Sequence, residues 1–236
     1  MSGKTKFIYD NYWHERIKAS KNVDNNNKFP NEIFEAASWT FKGGERILDL
    51  GCGEGGFSLY INKKFKKIFG AEISLEAAQI ARQQSMILSL MDINGLLPYR
   101  DNIFDAISCL EVVEHLFDPV CVLKEIYRIL KPNGQLVLTT PNIRYFRNLY
   151  RLIIKGEFPH TSTDTFAWDG GHLHYFTRKD LYNLLREAGF KKIDFHIYQD
   201  QFRRSKKRKL IRFLIGEKTF GEWFCGSITV SAYKEY

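Results

Sequence analysis

Four groups of residues in this chain have the types and spacing for chemistry. The first is a glycine run, Gly51, Gly53, Gly55 and Gly56, with Asp49 just before it and Glu54 inside it. The second is a pair of downstream acids, Glu72 and Asp92. The third is Glu111-Val112-Val113-Glu114-His115, and the fourth is His172-Leu173-His174. A glycine-rich passage from strand to helix lets the backbone approach a ligand closely. If Val112 opens a helical turn, Glu111, Glu114 and His115 share one face at i, i+3 and i+4. Two carboxylates and an imidazole there suit either a divalent metal or a general base. His115, His172 and His174 are the candidate bases, because imidazole titrates near neutrality. An extended segment would turn His172 and His174 to the same side.

The charges narrow the ligand of the glycine run. Gly51, Gly53 and Gly56 alone also satisfy the dinucleotide pattern G-x-G-x-x-G. Asp49 and Glu54 would repel a pyrophosphate, and they suit the ammonium and sulfonium groups of S-adenosylmethionine (SAM). Glu72 stands about 20 residues beyond Gly53, the spacing of a carboxylate that accepts from both ribose hydroxyls. Asp92 is placed to accept from an adenine amino group, with Ile73 and Ile93 as apolar neighbours for the ring. Leu110 and Glu111 end the next strand. The expected cofactor residues are therefore Asp49, Gly51, Cys52, Gly53, Glu72, Ile73, Asp92, Ile93, Leu110 and Glu111; the expected metal ligands are Glu111, Glu114 and His115.

The elements that must position them follow from the pattern of the chain. Strands are expected over 46–50, 67–72, 85–91, 104–110 and 135–140, with helices over 30–39, 56–64, 74–84 and 119–130. Alternation of strand and helix implies right-handed crossovers and a mostly parallel α/β sheet. Lys131-Pro132-Asn133-Gly134 reads as a turn in which the glycine supplies positive φ. Residues 141–176 form an aromatic, basic insertion with a helix at 143–154. An amphipathic helix over 178–188 precedes two last strands, 192–198 and 227–233. Those two lack a full crossover helix between them, which points to an antiparallel pair at a sheet edge. Residues 1–29 are an N-terminal arm with aromatic anchors and an asparagine-rich loop, and 141–176 and 200–226 are expected to cap the substrate side. The whole of 1–236 reads as one domain.

Composition sets bounds. The 236 residues are 44% hydrophobic and 15% aromatic, enough for a core with apolar pockets, and the net charge is +8. That charge permits an acidic partner without requiring one. The run Arg203-Arg204-Ser205-Lys206-Lys207-Arg208-Lys209, with Arg212, reads first as a solvated face. It could also grip phosphates. The interleaved Leu210, Ile211, Phe213, Leu214 and Ile215 suggest an amphipathic helix able to touch a membrane or a partner. Four cysteines without C-x-x-C pairing point to reduced thiols and a cytoplasmic protein. No apolar stretch nears the ~20 residues that span a bilayer.

The segments Ile47-Leu48-Asp49-Leu50-Gly51-Cys52-Gly53, Glu72, Asp92-Ile93 with Leu97-Pro98, and Phe104-Asp105-Ala106-Ile107 resemble a class I SAM-dependent methyltransferase. The resemblance spans roughly residues 30–140 and implies a Rossmann-like seven-stranded sheet with the last strand antiparallel. Residues Glu111 to His115 resemble the ubiquinone-pathway O-methyltransferases, whose Glu-x-x-Glu-His motif can hold a divalent metal. They resemble in part the small-RNA 3′-end 2′-O-methyltransferases, which add a distal histidine, although nothing here resembles their RNA-binding domains. Pro141-Asn142, the aromatic-basic helix and Phe176-Thr177-Arg178-Lys179-Asp180 resemble bacterial methyltransferases of glycan or other secondary pathways and, more loosely, the MetW proteins of methionine biosynthesis. The expected function is methyl transfer from SAM to oxygen on a small molecule or glycan intermediate. The alternatives are an RNA ribose 2′-O-methyltransferase and a SAM-binding partner subunit without turnover. The acceptor and the oligomeric state are not fixed by these residues.

Overall fold

The computed structural model describes residues 3–21, 32–162, 168–197 and 206–235. Two helices, α1 (Gly3–Lys21) and α2 (Glu32–Thr40), precede the sheet. Then come β1 (Gly44–Leu50), α3 (Ser58–Ile61), β2 (Phe65–Glu72), α4 (Leu75–Ala81), β3 (Ile87–Leu90) and β4 (Phe104–Leu110). Next are α5 (Pro119–Ile129), β5 (Leu130–Pro141), α6 (Phe146–Ile154), α7 (Arg178–Glu187) and β6 (Lys192–His196). Helices α8 (Lys206–Ile215) and α9 (Glu217–Phe224) lead into β7 (Ser227–Tyr233).

The seven strands form one sheet in the order β3-β2-β1-β4-β5-β7-β6. Every pairing is parallel except those of β7, which runs antiparallel to β5 and to β6. This is the Rossmann-like arrangement expected from the alternation of elements. The last two strands pair antiparallel at the sheet edge as expected, but two helices, α8 and α9, lie between them where no crossover helix was expected. The central strand β1 is buried from Ile47 to Leu50, as a strand covered on both faces must be. Its side chains alternate between two layers: Ile47 packs with Phe57, Ile61 and Phe65, while Leu48 and Leu50 pack with Ile107, Leu123 and Leu136. Helix starts are set locally. Ser74 accepts from the Ala77 N–H, Asp118 accepts from Cys121 ahead of Pro119, and Thr177 and Asp180 form a reciprocal capping box.

Several boundaries differ from the sequence expectation. The helix expected over 56–64 is only Ser58–Ile61, because turns flank it and β2 already begins at Phe65. Strand β3 is shorter than 85–91, since Ser85 takes a left-handed φ of 58° after a 3-10 turn. Strand β5 starts at Leu130 rather than 135. Leu130 pairs with Phe104 and Gln135 with Ala106, so residues 131–134 bulge out of the ladder. The positive φ within that bulge belongs to Asn133, at 62°, and not to Gly134. Gly134 is needed for space, because a Cβ there would stand 2.7 Å from the backbone carbonyl oxygen of Lys131. The expected extents over 22–31 and at Tyr198 and Arg203–Ser205 lie outside the described residues.

Phe104 is fully buried at the start of β4 and meets Phe69 and Tyr99 edge-on at centroid distances of 5.4 and 5.1 Å. Phe104→Ala is expected to cost about 3–5 kcal/mol in urea unfolding, with the m-value unchanged. A loss below about 1 kcal/mol would contradict the packing described.

Candidate functional site

In open α/β sheets ligands sit beyond the carboxyl ends of the strands. Here those ends carry the glycine loop, Glu72, Asp92, Leu110 and Glu111. Gly51, Gly53 and Gly55 have φ of 67°, 53° and 77°, a left-handed path that favours glycine. Glu72 holds this loop. Its Oε2 accepts from Gly53 N at 2.8 Å, and its Oε1 accepts from Ile73 N and Ser74 N, both at 2.9 Å. A carboxylate has about four lone-pair sites, so one remains for an incoming donor. The expectation that Glu72 takes both ribose hydroxyls is thereby reduced to one.

Asp49 is buried below the loop, and its Oδ1 accepts from Ser108 Oγ at 2.7 Å. Burial pushes its carboxyl up to about 7; the Ser108 bond opposes the shift and the Glu72 charge adds to it. Asp92 is half-buried and accepts from the backbone and side-chain nitrogens of Asn94, both at 3.0 Å. Ile93 follows Asp92 and Ile73 follows Glu72 in the chain, and both are half-buried. Cys52 and Leu110 are core residues, packed with Ile47, Ala106 and Val137.

The N-terminal arm lies over these groups, which the sequence did not disclose beyond its aromatic content. A Cβ on Gly53 would fall 2.8 Å from the Trp13 ring. Asp10 accepts from Leu75 N at 3.4 Å, and His14 meets Glu76 at 3.1 Å, so α1 is tied to the start of α4. Tyr9 stands edge-on to His115 with ring centroids 6.4 Å apart. Its phenol is pushed up to about 12, first by burial and then by Glu72, Glu114 and Asp92.

A second cluster lies beyond β4. The helical turn expected after Val112 is instead a 3-10 turn, Val113–His115, preceded by Glu111 at a left-handed φ of 55°. That backbone separates Glu111 from the other two expected metal ligands. Its Oε1 accepts from Ser227 Oγ at 3.3 Å, and burial raises its carboxyl to about 6. His172 takes its place: one ligand atom each from Glu114, His115 and His172 lie within 4.8 Å of one another. The histidine rings are 4.7 Å apart, and His172 Nε2 is 3.9 Å from Glu114 Oε1. His174 is engaged elsewhere, with Nε2 2.9 Å from Leu116 O and its ring stacked on Phe176.

Hydrogen bonds on the outer side fix both imidazoles. His115 Nδ1 lies 3.2 Å from Gly171 O, a pure acceptor, so that nitrogen carries the proton. His172 Nδ1 lies 2.8 Å from Thr161 Oγ1, which donates to Asp169 at 2.9 Å. The hydroxyl proton is thus committed to Asp169, and His172 Nδ1 is the donor. Each ring therefore turns a bare Nε2 inward. Burial lowers the basicity of His115 to about 4, with His172 adding to the shift, and lowers that of His172 as well. Glu114 is almost fully buried; Oε2 accepts from Thr140 Oγ1 at 2.9 Å, but Oε1 has no hydrogen-bond partner. Burial, then Glu111, raises its carboxyl well above the usual range. Three acceptors converge with no donor between them, which is a setting for a cation or a proton. Asp169 carries no motif of its own in the sequence; left-handed φ values of 49°, 68° and 82° at Asp169, Gly170 and Gly171 make the turn behind His172.

Gly53→Ala tests the placement of α1. The substituted residue would be strained at φ 53° and would collide with Trp13. Faster hydrogen exchange across α1 is expected, together with a stability loss of about 1 kcal/mol; unchanged exchange in α1 would contradict the contact.

Comparison with known proteins agrees with this geometry. A family model described as a methyltransferase domain matches residues 12–194. The ubiquinone biosynthesis O-methyltransferase of Xanthomonas oryzae is 30% identical over 105 residues, covering 42% of this chain and 44% of that protein. The chain thus matches less than half the length of these relatives. The demethylmenaquinone methyltransferase of Oceanobacillus iheyensis is 28% identical over 174 residues, 66% of this chain and 73% of that protein. A SAM-dependent methyltransferase structure from Archaeoglobus fulgidus superposes with a TM-score of 0.60 at 22% identity, over 82% of this chain and 88% of that one. With its glycine loop, its acids at the strand ends and its single reversed strand, this chain belongs to the class I SAM-dependent methyltransferases.

Proposed function

We propose that the enzyme methylates an oxygen of a small-molecule or glycan acceptor, with a divalent metal held by Glu114, His115 and His172. The observation that carries this reading is the orphaned, buried Glu114 Oε1 facing two imidazoles whose Nδ1 atoms are already engaged. The ubiquinone biosynthesis relatives are named as O-methyltransferases, which supports oxygen as the acceptor atom. On this reading Gly51 and Gly53 line the methionine end of SAM, Asp49 supplies negative charge beneath its ammonium, and Glu72 takes one ribose hydroxyl. Asp92 and Ile93 border the adenine. A metal bound here would lower the pKa of an acceptor hydroxyl.

The transfer is an in-line displacement. The acceptor oxygen forms a bond to the methyl carbon as the S–CH₃ bond breaks, and its electron pair stays on sulfur in S-adenosylhomocysteine. With a metal bound, the Nε2 lone pairs of His115 and His172 and the Glu114 carboxylate would be committed to it, and the acceptor proton, made more acidic there, would leave to solvent; with no metal bound the same Nε2 atoms would accept it. Alignment in a closed site contributes about 7–11 kcal/mol, and a positioned base about 10²–10⁴ in rate. Tyr9 and Trp13 on α1 help to exclude water from above.

Four measurements test this reading. Equilibrium dialysis with Mn²⁺ or Zn²⁺ should show one bound ion per chain, lost in Glu114→Gln and His172→Ala. Calorimetric SAM binding should persist in both variants, and undiminished metal binding would sink the ligand set. Glu72→Ala is expected to weaken SAM on the order of ten- to hundredfold through the lost charged hydrogen bond. The pH dependence has a definite sign. Asp49 is raised to about 7, so in the free enzyme it gains a proton as pH falls through that value and loses its attraction for the ammonium. SAM affinity should therefore decline from pH 8 to pH 6, and Asp49→Asn should flatten the profile. Labelled SAM incubated with fractionated extract, with and without chelator, identifies the acceptor. Label in RNA would favour a ribose acceptor, and absence of S-adenosylhomocysteine with every fraction would favour a partner subunit.

A further inference from the structure

Helix α6 leaves the sheet at the carboxyl end of β5, a few residues after Thr140, and none of its residues is buried. Phe146, Tyr150, Ile153 and Ile154 fall at i, i+4, i+7 and i+8, a single helical stripe. Ile153 and Ile154 are 72% and 66% exposed. Arg147, Arg151 and Lys155 recur every fourth residue beside that stripe, with Arg151 also pairing with Glu157 at 3.4 Å. Helix α8 repeats the arrangement. Leu210, Phe213 and Leu214 form its outer row next to exposed Lys209, and Phe213 is 84% exposed. Helix α9 joins the two. Phe224 lies 5.4 Å from Phe146 between ring centroids, Arg144 pairs with Glu222 at 2.8 Å, and Ile211 packs into the cluster of Phe220 and Cys225.

Large aliphatic side chains in water, bordered by arginine and lysine, match a helix that lies in a lipid headgroup layer. The apolar row enters the acyl boundary and the cations meet phosphates. RNA fits less well, since its phosphates would engage the cations but leave isoleucine and leucine in water. Seven basic residues and no acid between 203 and 212, within a chain of net charge +8, add to the attraction for an anionic surface. Among the described residues no helix is long and apolar enough to cross a membrane, so the contact is with the surface.

We propose that α6 and α8 seat this protein on an anionic lipid surface, with their apolar rows in the interface and their basic residues on the headgroups. Docking stands independently of the acceptor's identity. Combined with the methyl transfer proposed above, on which this clause rests, it makes membrane-dissolved hydroxyl compounds the acceptor class. Vesicle flotation of the full chain tests the docking. Vesicles of phosphatidylcholine with phosphatidylglycerol should carry the protein, and vesicles of phosphatidylcholine alone should not. Raised salt should weaken the binding. Ile153→Glu with Phe213→Glu, and separately Arg147→Glu with Lys155→Glu, should each lower the bound fraction at least about tenfold. SAM calorimetry and circular dichroism check that the variants are folded; where Ile153→Glu disturbs folding, Ile153→Ser gives the same readout. The proposal is overturned if anionic vesicles fail to float the protein, or if neutral vesicles float it equally. It is also overturned if the apolar variants float like wild type. A dimer without lipid that Ile153→Glu dissociates, with no flotation, would assign the face to a second copy. RNA retention without flotation would assign it to nucleic acid.

Discussion

One carboxylate organises the donor half of this protein. Glu72 ends β2, and its two oxygens gather N–H groups from the glycine loop after β1 and from the two residues that lead into α4. Two segments are thereby fixed to the end of β2 around one charge. The left-handed φ values of the loop, the entry angle of α4 and the resting place of Trp13 on Gly53 all depend on that anchor. The cost is a nearly saturated acceptor: the more firmly the side chain holds the backbone, the fewer lone pairs it can offer outward.

The same interior holds an excess of buried acid. Asp49, Glu72, Glu111 and Glu114 are all raised by burial, the last also by its neighbour Glu111. Among the described residues no basic side chain pairs with these four carboxylates except His172, whose basicity is itself depressed. Hydroxyls and backbone amides compensate instead. Groups in this condition are stabilised by whatever cation reaches them, and a ligand that binds only the folded chain raises its stability by mass action.

The donor half was legible because its logic is local. A buried apolar strand, glycines, and an acid at the end of each successive strand can be read along the chain, and alternation implies a mostly parallel sheet as far as β5, although not the order of its strands. The antiparallel pairing of β7 with β6 was expected for want of a helix between them; the pairing is there, but α8 and α9 fill the connection, so its reason was not legible. What escaped were contacts made across long sequence separations. His172 joins Glu114 from 58 residues away, and the backbone reason lies in the left-handed φ of Glu111, which no spacing rule anticipates. The helical-face argument placed Glu111 with Glu114 and His115; the 3-10 turn broke that geometry. The covering by α1 was illegible for a related reason. Its aromatics find partners only after β1, β2 and β4 are assembled beneath them.

The position of β7 has a consequence for how the site comes into being. It lies between β5 and β6, although it follows both in the chain. Until it is made, β6 has no neighbour to pair with and β5 has an open edge. The residues beside it also brace the Glu111 side of the candidate site: Ser227 donates to Glu111 and to Thr140 O, and Gly226 O receives Asn142 N. During synthesis from the N-terminus the donor half can therefore close early. The floor under Glu111 waits for this strand, so the two sides of the candidate site form at different stages of synthesis.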